Sequence, residues 1–216
     1  MYSIKEAFYS LQGEGAQAGR PSIFCRFSGC NLWNGKETHR FDSLCQFCDT
    51  DFIGVDGQNG GKFKQAKTLA LHLDALWPND QSDKYVVFTG GEPALQLDAA
   101  LILAMKEMGY VIGIETNGTK PLPDGIDWIC VSPKTADELV IQQGHELKLV
   151  YPQSHLNPNK YTHLDFDTFY LQPMDQSHLP KDRISPESTL KQTLNYCLAN
   201  PKWRLSLQTH KILEID

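Results

Sequence analysis

The stretch YVVFTGGEPALQLDAALILAMKEMGYVIGIETNG, residues 85–118, reads as a strand, a helix and a second strand. β-Branched and aromatic residues fill 85–91 and 111–118. Between them, Leu97, Leu101, Ala104 and Met108 recur at the three-to-four spacing of one helix face. A helix joining two such runs is a βαβ unit, and its strands are parallel. Both runs end in a polar signature, TGGEP (89–93) and ETNG (115–118).

The pattern extends outward in both directions. SIFCRFSG (22–29), WICVSPK (128–134), LKLVYPQ (147–153), TFYLQPMD (168–175) and WRLSLQTH (203–210) are further short apolar runs, most with a polar end. Residues 62–77 place Leu69, Leu73 and Leu76 on one helix face. Residues 186–199 form a third helical pattern, introduced by SPES and carrying Leu190, Leu194, Tyr196 and Cys197. This alternation predicts an α/β fold. The chain is short for an eight-unit barrel of about 250 residues, so the expectation is a partial, open TIM-like barrel of about six parallel strands, with a doubly wound sheet as the alternative. VDGQNGGKF (55–63) reads as a loop. In parallel α/β folds the strand ends share one face, where sites are built.

Composition narrows the function. The 216 residues are 41% hydrophobic and 21% charged, with a net charge of −6, which suits a globular chain and gives a general nucleic-acid role no electrostatic support. The N-terminus MYSIKEAFYSLQGEG has no apolar signal-peptide core. The longest apolar run, AALILAM (99–105), is too short to cross a bilayer. A single cytoplasmic domain is expected, with reduced cysteines. Trp77 and Tyr151 are read as exposed apolar residues compatible with a dimer.

Three of the six cysteines, Cys30, Cys45 and Cys48, fall in CNLWNGKETHRFDSLCQFCDTDF (30–52). A structural zinc site wants four ligands, a redox pair needs only two thiols, and a ferredoxin-type cluster lacks its fourth cysteine here. Cys25, Cys130 and Cys197 sit in apolar patterns and read as small core residues. Three thiolates on a [4Fe–4S] cluster leave one iron open to a small bidentate ligand.

CQFC (45–48) and TGGEP resemble the cluster motif and the Gly-Gly-Glu motif of the radical S-adenosylmethionine (SAM) superfamily. The C-x14-C-x2-C spacing departs from the usual C-x3-C-x2-C of that superfamily. With FYSLQGEG (8–15), GRPSIFCRFSGCNLW (19–33), CDTDF (48–52), GGKF (60–63), IETNG (114–118), DWICVSPK (127–134), QPMD (172–175) and WRLSLQTHK (203–211), it most closely resembles the 7-carboxy-7-deazaguanine synthase family, across essentially the whole chain.

The resemblance implies a lyase of queuosine and 7-deazapurine biosynthesis. A 5′-deoxyadenosyl radical takes hydrogen from 6-carboxy-5,6,7,8-tetrahydropterin, the ring contracts, ammonia leaves, and 7-carboxy-7-deazaguanine forms. It makes Cys30, Cys45 and Cys48 the cluster ligands. It places Phe47, Cys48, Asp49, Gly91, Ser132, Pro133, Lys134, Gln172, Pro173, Met174 and Asp175 around SAM, with Glu115 and Asn117 as further candidates. Thr50 would ligate Mg2+, although composition alone favours Asp49 or Asp51. Leu11, Gln12, Gly13, Glu14, Arg26, Thr89, His210 and Asp216 would meet the substrate, with N- and C-terminal segments capping it. Glu92 and nearby carbonyls are read as acceptors for the SAM ammonium. Arg26, charged in an apolar strand, calls for an anionic ligand or a buried carboxylate. A flavodoxin or ferredoxin would supply the electron, and a homodimer is implied. A glycyl-radical activase and a zinc-stabilised interaction domain are the rival functions.

Overall fold

A computed structural model describes the chain except residues 79–81, 137–138, 154, 178, 182–183, 186 and 216. Its strands are β1 (Tyr2–Leu11), β2 (Pro21–Phe27), β3 (Gly61–Phe63), β4 (Tyr85–Gly90), β5 (Val111–Thr116), β6 (Trp128–Val131), β7 (Gln143–Tyr151), β8 (Asp165–Pro173) and β9 (Trp203–Leu205). They form one sheet in the order β3-β1-β2-β4-β5-β6-β7-β8-β9. From β2 to β9 every neighbouring pair is parallel. β1 runs antiparallel to both β2 and β3.

This is an open α/β sheet, mostly parallel. The order advances in one direction without the reversal that a doubly wound sheet requires, so that alternative is excluded. Seven strands are parallel where about six were expected. Two strands escaped the sequence pattern. In β1, Lys5 and Glu6 break the alternation, and a register shift between Ile4 and Glu6 shows why: a bulge there resets the period of two. β3, the GKF that read as loop, is only three residues and exists by pairing with the start of β1.

The helices are α1 (Ala66–Asp74), α2 (Ala99–Glu107), α3 (Thr189–Ala199) and the short α4 (Thr209–Leu213). Asp98 caps α2 by accepting from the Leu101 amide, and the same oxygen accepts from the Tyr2 hydroxyl at 2.7 Å, tying helix to edge strand. Leu69, Leu73 and Leu101 are fully buried on the expected faces. α3 differs. Its cap is Ser188, Pro186 lies outside the described residues, and Leu190 and Leu194 point to solvent. The core side is set by Thr193, whose hydroxyl is satisfied by Thr189 O at 2.6 Å and Tyr151 O at 3.3 Å, with Tyr196 and Cys197 beside it. A polar residue that carries its own hydrogen bonds can occupy a core face, which a purely hydrophobic reading misses. Trp77 is likewise buried, edge-on to Tyr9 and Tyr110, and Tyr151 is half-buried against Tyr196. No helix among the described residues is long and apolar enough to cross a membrane.

The alternation of the strands assigns each face. Ile23, Cys25 and Phe27 of β2, Val86 and Phe88 of β4, and Ile112 and Ile114 of β5 pack with α1 and α2 in one core. Leu147 and Leu149 of β7, Leu171 of β8 and Trp203 of β9 build a second beside α3. The intervening residues point to the other face: Phe24 and Arg26, Thr89, Glu115, Lys148 and Val150, and Gln172 all line one cavity of about 440 Å3.

Candidate active site

One wall of that cavity is the cysteine loop. Cys30, Cys45 and Cys48 all line it, and all six cysteines are free thiols. Behind them Leu32, Trp33 and Phe52 form a small apolar cluster that includes buried Cys45. Arg40 explains how the long insertion holds its shape. Its buried guanidinium stacks 4.1 Å over Trp33, pairs with Glu37 at 2.6 Å, and donates to Cys48 O at 2.8 Å and Gln46 O at 3.3 Å. The thiols are not equivalent. A hydrogen bond from Cys45 pulls Cys48 down to about 6, while that shared proton and burial push Cys45 up. Burial also pushes Cys30 up.

This donor set fits an iron–sulfur cluster. Three reduced thiols face one cavity, one is already polarised toward thiolate, and ligation needs thiolates. Among the described residues, no group of three or more His, Cys, Asp or Glu side chains is placed to hold a lone metal ion. Three thiols leave a tetrahedral zinc site one ligand short, and a body that takes one thiolate per iron is the better match.

TGGEP turns out to be built for packing. A Cβ on Gly91 would lie 2.1 Å from Gly29 O and 3.0 Å from the Cys30 Cβ, so only glycine lets β4 reach the cysteine loop. Glu92 is fully buried and absent from the cavity lining. It accepts from Thr116 Oγ1 at 2.7 Å, Asn117 N at 2.8 Å and Ala94 N at 2.9 Å. Its carboxylate clamps the end of β5 to β4. Glu92 is thus a structural brace, with three of its roughly four acceptor sites taken by the protein's own donors.

The opposite wall is charged. Glu14, in the loop after β1, meets Lys148 Nζ at 2.7 Å and accepts from Gln172 at 2.9 Å and Gln208 at 3.0 Å. Lys148 also reaches Glu115 at 3.2 Å, and Gln12 donates to the same Glu115 oxygen at 3.0 Å. Burial alone would raise the Glu14 carboxyl, but the ammonium and the amide donors outweigh it and bring it down to about 2. For Lys148 burial works the other way and is overcome by Glu115 and Glu14, so it stays well above its ordinary range. The loop itself is threaded across the sheet. Gly15 N donates to Ser206 at 2.9 Å and Ala16 N to Glu146 at 2.8 Å. Gly15 sits at φ +62°, and a Cβ there would strike Glu146 at 2.0 Å. LQGEG therefore needs its second glycine for a left-handed turn against a buried carboxylate.

The structure brings nearly every candidate to this cavity: the cysteines, Phe47, Asp49, Thr50, Thr89, Gly91, Ser132, Lys134, Gln172 to Asp175, Leu11 to Glu14, Arg26, Glu115, Asn117 and His210. Pro133 is not in the lining, and Asp216 lies outside the described residues. Lys134 Nζ is 5.4 Å from the centre of the Phe47 ring. Arg26 has a carboxylate partner, the half-buried Glu6, directly across the β1–β2 ladder at 2.7 Å. Cys130 is more than a core residue, since its thiol lies 3.6 Å from Glu146. Sequence reasoning missed Lys148, Gln208, Glu6 and Lys211. Lys148 carried the signal that exposed Arg26, a lone charge in an apolar strand (LKLVY). Lys211, on α4, bonds Asp49 at 3.0 Å and also Asp175, linking the cysteine loop to the end of β8 across the mouth. α4 is itself held by Thr209, whose amide and hydroxyl both donate to Gly13 O at 2.9 Å.

No family model matches the chain. It is 55% identical over 214 residues to the 7-carboxy-7-deazaguanine synthase of Bordetella pertussis, covering 99% of each chain. It is 54% identical, again over 214 residues and 99% of each chain, to the protein of the same name from Bradyrhizobium diazoefficiens. A crystal structure of QueE from Escherichia coli shares the fold, with a TM-score of 0.65 over 95% of this chain and 93% of that one at 23% identity.

Proposed function

We infer what the cavity does from one premise: the chain belongs to the 7-carboxy-7-deazaguanine synthase family, as its full-length likeness to those relatives requires. The activity is that of a radical SAM lyase that forms 7-carboxy-7-deazaguanine from 6-carboxy-5,6,7,8-tetrahydropterin with loss of ammonia, in the 7-deazapurine pathway toward queuosine. The observation that carries it is one cavity walled on one side by three free thiols and on the other by the Glu14–Lys148–Glu115 network.

We assign Cys30, Cys45 and Cys48 to a [4Fe–4S] cluster. Bound to such a cluster, SAM would supply a carbon-centred radical for hydrogen abstraction. The protein's part is to bind, orient and exclude water. Leu32, Trp33 and Phe52 keep the thiol wall dry. Phe47, Asp49, Gly91, Ser132, Lys134 and Gln172 to Asp175 are our SAM contacts, with Lys134 the cation for its carboxylate. Gly91 gives the ligand backbone rather than side chain, which suits an amino group. Leu11 to Glu14, Thr89 and His210 are our pterin contacts. Arg26, with its Nε on Glu6, keeps a cationic guanidinium at the cavity for the substrate carboxylate.

We take Thr50 as the Mg2+ ligand from the family likeness. Asp49, Thr50 and Asp51 all line the cavity, and the two carboxylates already pair with Lys211 at 3.0 Å and Lys5 at 2.8 Å. Substrate oxygens and waters would complete an octahedral ion. Six free cysteines favour a reducing, cytoplasmic setting, where a flavodoxin or ferredoxin would donate the electron to a homodimeric enzyme. We read residues 1–216 as one domain, a partial barrel whose LQGEG loop and C-terminal helix cap the substrate. The test is anaerobic reconstitution with iron and sulfide, followed by mass spectrometry of the pterin product. Wild type should form 7-carboxy-7-deazaguanine and Cys30→Ala should not. A reconstituted protein that never releases deoxyadenosine under reduction would sink the reading.

A further inference from the structure

We propose that Lys148 is a positioning residue for this reaction: its buried ammonium holds Glu14 and Glu115 as paired anions, so that the cavity offers an acceptor-only edge to the adjacent N–H groups of the pterin. The proposal rests on the synthase reading above.

Lys148 is 3% exposed, and it joins three distant pieces of chain, the loop after β1, β5 and β7. The protein groups that bond the two carboxylates are all donors. Glu14 accepts from Lys148, Gln172 and Gln208, which uses three of about four acceptor sites on a carboxylate. On Glu115 one oxygen takes both Gln12 and Lys148, and the other takes no hydrogen bond among the described residues. One site on Glu14 and a whole oxygen on Glu115 thus remain for a ligand. A 2-amino-pyrimidinone edge presents two donors side by side, which matches acceptors and is repelled by an O–H.

The surrounding charges make the lysine necessary. Glu146, Cys130 and His210 also face this network. Glu146 is already satisfied by Ala16 N and the Cys130 thiol. Without Lys148, Glu14 and Glu115 would share a half-buried wall with only the weaker pull of His210 on Glu14 to offset their repulsion. Burial, no longer offset by the ammonium, would push the Glu14 carboxyl up toward its protonated form. That proton would stand where the substrate's own donor belongs.

The test uses reconstituted holoenzyme and initial rates with 6-carboxy-5,6,7,8-tetrahydropterin from pH 6.5 to 9. Lys148→Met should raise KM about thirtyfold at pH 7, the scale of a broken charge-assisted pair, with kcat changed less than about threefold. KM should recover as pH rises and the carboxyl deprotonates. Lys148→Arg, which keeps the charge, should stay within about threefold of wild type. Equilibrium binding of 7-carboxy-7-deazaguanine to the same variants should show the same order without turnover. If Lys148→Met does not fold, Glu14→Gln replaces it, and it should raise KM with no recovery at high pH. A KM defect that ignores pH, an equal loss in Met and Arg variants, a fall in kcat alone, or wild-type KM in Glu14→Gln each overturns the proposal. A wild-type enzyme that ignores the pterin would instead sink the synthase reading, and the product-binding arm would still score Lys148.

Discussion

The two walls of the cavity are built from opposite materials. The thiol wall is apolar and local: three cysteines, Leu32, Trp33 and Phe52 come from one stretch of 23 residues, fixed from behind by Arg40. The facing wall is polar and assembled at long range, with Glu14, Glu115, Lys148, Gln172 and Gln208 drawn from five parts of the chain. The first wall can be dry because its thiols ask for few hydrogen bonds. The second can be charged only because each ion has partners, since an unpaired buried charge would neutralise itself. On the proposed assignment reactivity and recognition are separated in space, and the division gives each wall a distinct mutational signature.

The sharpest way to break this division is Cys30→Ala. It should lower turnover by more than about 10^3-fold and reduce bound iron after reconstitution, measured by assay of both, while product binding persists. If it raised KM for the pterin in the manner of Lys148→Met, the walls would not be separable. Glu92→Gln is the next largest effect and falls on neither wall. Replacing one acceptor oxygen by NH2 sets a donor against a buried donor, so stability should drop by about 3 kcal/mol in urea unfolding. SAM affinity per folded molecule should hold. Lost SAM affinity in a protein of wild-type stability would restore Glu92 as an ammonium acceptor.

The charged wall also predicts a pH dependence. The folded pKa of Glu14, about 2, lies below its ordinary 4.5, so between these values the native state binds fewer protons than the unfolded one. The stabilisation is complete above about pH 4.5 and lost as pH falls toward 2. Glu14→Gln lacks this titration. Thermal melts should therefore show wild type ahead by about 2 kcal/mol above pH 4.5, with the gap closing toward pH 2. A gap that stays constant would mean Glu14 gains nothing from Lys148. The smallest effect belongs to Lys211→Ala, which cuts the half-exposed link between Asp49 and Asp175. It should cost less than about 1 kcal/mol, and less still in high salt. A loss that ignores ionic strength would place Lys211 in a binding role rather than a surface tie.

How much was legible follows from locality. The seven parallel strands and the faces of α1 and α2 announce themselves through periods of two and 3.6 in consecutive residues. β1 hid behind its bulge, β3 behind its length, and the core face of α3 behind Thr193, a polar residue that satisfies itself. Among site residues, CQFC and TGGEP were readable as motifs, yet the bracing role of Glu92 was not, because a motif gives composition and spacing without saying which lone pairs the protein already uses. Lys148 lies in the apolar run LKLVYPQ and Gln208 in WRLSLQTHK, and neither stretch states a partner. Each acquires meaning only beside Glu14, which is 134 and 194 residues away in sequence.

The sequence by itself determined the α/β class, the three-thiol loop and the kinship with a synthase family, because each is written in contiguous residues or local periodicity. Tertiary structure alone decided the direction of the strand order, the assignment of Glu92 to the frame, and the pairing of Lys148 with two carboxylates. Those outcomes depend on electrostatic and hydrogen-bond partners that chain folding brings within about 3 Å, and no local pattern records a partner that lies a hundred residues away.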